Sequence, residues 1–161
     1  MLSVKLEPNG TTWSRLGTIY HRQNHLMEEI DAWEQASELL PYPAIVLLPL
    51  GYAELAAHRP QIALQAFDRA VGGLPPHGGN ALLADVAHGR AEAWEALGDL
   101  QHAVALAEET VRLRPSSSED WLMLANLYDR ERRFEDGQRA REHAATLSPG
   151  QPLPIRPQLP R

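Results

Sequence analysis

The chain has 161 residues, enough for one compact domain or a short array of repeats, and with 43% hydrophobic and 22% charged residues it belongs with folded chains. Its formal charge of -6 argues against general binding to nucleic acid or to an anionic membrane surface. It has no cysteine, which excludes disulfide frameworks, cysteine zinc sites and thiolate nucleophiles.

At the N-terminus, "MLSVKLEPNG" lacks the basic-then-apolar order of a secretory signal. Its leucine-then-proline ending matches Leu39/Pro41, Leu113/Pro115 and Leu147/Pro149, so residues 1–9 are expected to be the end of a preceding repeat or an N-terminal extension of a chain cut from something longer. From Gly17 onward the chain repeats. Gly17, Gly51, Ala91 and Ala125 are separated by 34, 40 and 34 residues, and a proline follows each by 24: Pro41, Pro75, Pro115 and Pro149. With proline at 13 of 161 positions, three such coincidences after the first have a chance of roughly 0.0005. Three residues after the small one stand Tyr20, Glu54, Trp94 and Tyr128. Twelve after stand Glu29, Ala63, Ala103 and Gly137, and sixteen after stand Trp33, Phe67, Ala107 and Arg141.

Within each unit the apolar spacing has helical period and breaks once in the middle, as at Gly98-Asp99. Each unit is therefore read as two antiparallel helices. The small residue lets the two helices approach, the aromatic fills the space beside it, and proline ends the second helix. In the second unit Pro60 suits the first turn of its helix. Pro49 does not suit a helix interior, so the helix carrying it is expected to start late, near Val46 or Leu47. "LPPHGGN" (Leu74 to Asn80) is expected to be a loop and a bend. "PAIVLLPLGYAELAA" (Pro43 to Ala57) is too short for a membrane span.

These residues resemble the tetratricopeptide repeat. "WSRLGTIY" (Trp13 to Tyr20), "AWEALGDLQHA" (Ala93 to Ala103) and "WLMLANLY" (Trp121 to Tyr128) are similar to its Trp-x-x-Leu-Gly-x-x-Tyr opening and its continuation. The resemblance implies an all-α, right-handed superhelical solenoid of about four helix-turn-helix repeats, about eight helices. The repeats are placed at 10–43, 44–77, 84–117 and 118–151, followed by a Pro-rich tail at 152–161. That tail offers Pro154, Pro157 and Pro160 at a spacing proline-reading domains use, and no helix is visible there to cap the last repeat.

The aromatic and small-residue columns read as core. Function is then expected on the concave wall built by the first helix of each pair. By phase that wall holds Thr11, Ser14, Thr18, His21 and Arg22, then Ile45, Leu48, Tyr52, Leu55 and Ala56. Asp85, His88, Glu92, Glu95 and Ala96 follow, then Glu119, Leu122, Asn126, Asp129 and Arg130. The second group is apolar, and the last two hold five carboxylates with little compensating positive charge. Such a wall suits a protein or peptide partner with apolar and basic residues. The carboxylates can equally be ordinary solvated residues. The family's clamp for a peptide C-terminal carboxylate uses lysine, asparagine and arginine. Ser14 and Thr18 occupy the early groove positions here, so that mode is not expected.

No phosphate loop, HExxH motif or nucleophile elbow is present, so no enzyme, cofactor or metal is expected. His25 falls in a turn, away from shared ligation with His21; His58, His77, His102 and His143 fall on loops or outer faces. Glu28, Glu29 and Asp31 read as a solvated stripe. The expectation is a non-catalytic interaction scaffold. The alternatives are a regulatory or targeting domain of a larger enzyme or membrane protein, such as a glycosyltransferase or a polysaccharide-assembly factor, and a homo-oligomer assembled through the uncapped C-terminal end. A cytoplasmic location is the default where no targeting signal is visible.

Overall fold

The computed structural model describes residues 9–74 and 79–148. These residues form eight helices: α1 (Gly10–Arg22), α2 (Leu26–Leu39), α3 (Ala44–Ala56), α4 (Pro60–Gly72), α5 (Asn80–Leu97), α6 (Leu100–Leu113), α7 (Ser118–Arg130) and α8 (Phe134–Leu147). Each helix packs on its neighbours in sequence, and α3 also touches α5, so these two first helices lie side by side. This is an all-α solenoid of antiparallel helix pairs. The expected tail of a preceding repeat (residues 1–8), the proline segment from Pro149 onward, Pro75 and His77 lie outside the described residues.

Local chemistry explains several helix starts. The Asn9 side chain accepts from the Thr12 N–H at 3.0 Å, Asp99 from His102 N–H at 3.1 Å, and Ser117 from Asp120 N–H at 3.2 Å. Each satisfies an orphan donor of a first helical turn. Pro60 is the first residue of α4, where its missing N–H costs nothing.

The turn inside every pair is the same. Asn24, His58, Gly98 and Arg132 have φ of 56, 58, 83 and 64°, and each lies seven residues after the small residue of its unit. The next residue's N–H closes back onto the first helix: His25 to the Tyr20 carbonyl (3.0 Å), Arg59 to Glu54 (2.9 Å), Asp99 to Trp94 (3.0 Å) and Arg133 to Tyr128 (2.8 Å). A left-handed residue followed by such a bond is the usual way to end a helix while satisfying its last carbonyls.

Between the paired helices the small residue meets the aromatic. A methyl built on Gly17 would lie 2.6 Å from the Trp33 ring. Phe67, fully buried, is gripped by two helices. A methyl on Gly89 would lie 2.5 Å from its Cζ, and one on Gly51 would overlap its Cε1 edge. Ala91 and Ala125 are likewise fully buried. The core continues from Trp33, Leu47, Leu50, Phe67 and Val86 to a second cluster around Val104, Val111, Leu124 and Leu127.

Three expectations need correction. First, α3 begins at Ala44 and runs through Pro49. Pro49 lacks the N–H that would reach the Ile45 carbonyl, a loss of about 3 kcal/mol in a sealed interior. Ile45 is 72% exposed, so water can serve that carbonyl, and a late start would forfeit the burial of Ala44 and Val46. Second, α5 begins at Asn80. The extra residues at this junction lengthen α5 to 18 residues, against 13 for α1, α3 and α7. Third, Glu29 is not solvated: it is 5% exposed and points into the first helix pair. No helix among the described residues is long and apolar enough to cross a membrane.

Candidate functional site

Clefts open along the first helices α1, α3, α5 and α7, and two of them hold residues expected to bind a partner. One, of about 290 Å³, lies between α5 and α7 and is lined by His88, Glu92, Glu95, Glu119, Leu122, Met123 and Asn126. Five residues expected to bind a partner, His88, Glu92, Glu95, Glu119 and Asn126, therefore meet in one place. The other, of about 650 Å³, lies among α1, α2 and α3. Its walls are Leu26, Trp33, Pro49, Tyr52, Ala53 and Ala56, with Thr18, His21, Asn24 and Glu29 supplying polar groups. Tyr52 belongs to this second cleft. Leu48 and Leu55 are half-buried and pack against the core beside it.

The α5–α7 wall is less acidic than its sequence suggests. Arg114, at the end of α6, donates from Nη1 to Asp85 Oδ1 at 2.5 Å and from Nε to Asp120 Oδ2 at 2.7 Å. Arg130 pairs with Glu95, and buried Arg141 reaches from α8 to Asp129. Asp129 thus faces α8, where Gly137 leaves room for its carboxylate. Of the five carboxylates, Asp85, Glu95 and Asp129 have arginine partners, and Glu92 lies 3.3 Å from His88 Nε2. The expectation of little compensating positive charge is corrected. The cations come from sequence positions 29 and 35 residues away, or from the next helix, and only the fold brings them in.

These pairs form one network. His88 Nδ1 lies 2.8 Å from Asp120 Oδ1, and Asp120 is fully buried. The hydrogen bond to Glu92 raises the His88 pKa, burial opposes this, and the Asp120 bond adds to the rise. Burial pushes the Asp120 carboxyl up, but hydrogen bonds from Arg114, His88 and Ser117 outweigh it and hold the group below its ordinary value. The Tyr52 hydroxyl donates to the Asp85 carbonyl at 3.4 Å, tying α3 to α5, and burial followed by the Glu92 and Asp85 charges pushes its pKa up.

In the larger cleft, Glu29 Oε1 accepts from Trp33 Nε1 at 3.3 Å and pairs with His21 Nδ1 at 2.9 Å. Sequence reasoning missed Glu29 and Arg114. Glu29 did carry a signal, standing in a column that otherwise reads Ala63, Ala103, Gly137. Two further histidines pack on aromatic rings: His102 stacks on Trp94 at 4.7 Å, and His143 packs on Trp121 at 4.3 Å.

No protein-family model matches the sequence, and comparison with curated proteins finds no match. Solved structures do match. A crystal structure of MamA superposes with a TM-score of 0.76 at 19% identity, covering 86% of this chain and 78% of MamA. YrrB, described as a TPR protein with an unusual peptide-binding site, gives 0.72 at 17% identity, covering 88% of this chain and 70% of YrrB. The Cut9–Hcn1 assembly of the APC/C gives 0.79 at 14% identity, covering 89% of this chain but 28% of that one. These likenesses establish the fold: the helix pairs stack as a tetratricopeptide-repeat solenoid.

Proposed function

From a tetratricopeptide-fold array with two clefts along its first helices, we infer that the chain is a non-catalytic interaction platform that holds an extended segment of a partner protein along α1, α3, α5 and α7. The observation that carries this reading is the gathering of His88, Glu92, Glu95, Glu119 and Asn126 in one cleft, with a larger, mostly apolar cleft lined by Tyr52 on the same array. The matching partner carries apolar residues for the Tyr52 side and basic residues for the Glu92 and Glu119 side. Asp85, Asp129 and Arg130 act indirectly, by fixing neighbouring side chains through ion pairs. A wall held by such pairs is already ordered, so the flexible partner bears most of the ordering cost. A peptide-binding site in YrrB, which shares the fold, supports the reading.

The test is affinity capture on the immobilised full chain with mass spectrometry, comparing the unaltered protein with a Glu92→Lys, Glu95→Lys double variant. Partners retained by the unaltered protein should be depleted severalfold by the variant, while far-UV circular dichroism shows unchanged helicity. Equal recovery of every partner by both proteins would overturn the assignment of this cleft.

A further inference from the structure

Resting on that choice of binding face, we infer that the cleft among α1, α2 and α3 is a socket for one basic side chain, arginine or lysine, whose alkyl stem lies against Trp33, Tyr52 and Leu26 and whose cation reaches Glu29.

Packing between paired helices does not call for a carboxylate here. The three equivalent positions carry Ala63, Ala103 and Gly137, all buried, and their helix pairs form in the same way. Burying an ionised carboxylate costs several kcal/mol unless it is paired. A neutral acceptor would satisfy the Trp33 indole N–H equally well, so the charge itself is the unexplained feature. The Glu29 carboxylate lines the cleft together with a mostly apolar wall. Its other partner, His21, has a side chain 71% exposed and can turn away without uncovering core. An apolar shaft ending in a buried anion complements a side chain that is apolar along its length and cationic at its tip. Trp33 and Tyr52 in the lining add aromatic surface beside which a guanidinium or ammonium is further favoured. At about 650 Å³ the cleft also has room for an apolar residue beside the basic one.

The test follows the Trp33 indole N–H by NMR in the labelled full chain, assigned through Trp33→Phe, the aromatic that the second unit carries at this position as Phe67. The protein is titrated with the acetylated amides of arginine and lysine, and with those of citrulline and norleucine as neutral counterparts. The expected result is a saturable shift with arginine, lysine or both, at least about tenfold tighter than with either neutral amide. Which cation binds separates stacking of a guanidinium from a point charge. Glu29→Gln, and Glu29→Ala as the residue other pairs tolerate, should each lose about tenfold in affinity. Equal binding of citrulline or norleucine, undiminished binding by Glu29→Gln, or no saturable shift with any amide would each overturn the inference. This cleft shares no lining residue with the Glu92/Glu95 cleft. Silence here alongside variant-sensitive capture there would sink the socket and leave the platform reading standing.

Discussion

Gly51→Ala and Gly72→Ala make the same chemical change in two helices and should have opposite signs. At Gly72 a methyl meets nothing within 4 Å, so replacing glycine in α4 should recover part of its helix-propensity deficit, about 0.5 kcal/mol near a helix end. At Gly51 the same gain, up to about 1 kcal/mol, is opposed by overlap with Phe67. The ring cannot retreat. It is fully buried, Gly89 of α5 presses the same Cε1–Cζ edge from a second helix, and Tyr52 packs against it at 5.4 Å between centroids. Overpacking a site pressed by two helices costs about 1–3 kcal/mol and here belongs at the upper end, because α3 and α5 must both move. The net loss is about 1–2 kcal/mol. With a urea slope of about 2 kcal/mol/M, the unfolding midpoint should fall by about 0.5–1 M for Gly51→Ala and rise by about 0.2 M for Gly72→Ala. Circular dichroism of urea-induced unfolding reads both. A Gly51→Ala protein as stable as the parent, or two shifts of the same sign, would refute the claim that Phe67 is held against two glycine backbones.

His58 and Arg132 occupy left-handed backbone that costs a side-chain-bearing residue roughly 1–2 kcal/mol. His58→Gly and Arg132→Gly should each stabilise by about 0.5–1 kcal/mol, a rise of about 2–3 °C in Tm, whereas Gly98→Ala should lower it; calorimetry showing the reverse order would rule the account out. The raised pKa of His88 sets a pH signature. Its contribution is complete below the unfolded value near 6.5 and fades as pH climbs through the higher folded value, while the contribution of Asp120, whose pKa is depressed, is present above about 4 and lost on acidification. The Tm difference between the parent and His88→Gln should therefore be largest between about pH 4 and 6.5 and shrink in alkaline buffer. A difference that grows with pH would contradict the Glu92–His88–Asp120 arrangement.

The repeat was legible before any coordinates because stacking helix pairs need the same local solution each time: a small residue at the crossing, an aromatic beside it, and a stop after the second helix. Gly17 with Trp33 and Gly51 with Phe67 therefore show in the spacing, and the Gly98-Asp99 break and Pro60 mark helix ends through backbone chemistry alone. Helical phase also put His88, Glu92, Glu95, Glu119 and Asn126 on one side of their helices, and these five line one cleft. Phase cannot say which charges meet. Arg114 reaches Asp85 across 29 residues and Arg130 reaches Glu95 across 35, so an apparently acidic wall is largely paired. Nor could local rules foresee that α3 would keep Pro49, that His58 and Arg132 would be held in left-handed backbone, or that Glu29 would turn inward to His21 and Trp33. In each case, packing across helices outweighed a local preference of a few kcal/mol or less, and that balance exists only once the helices are in contact.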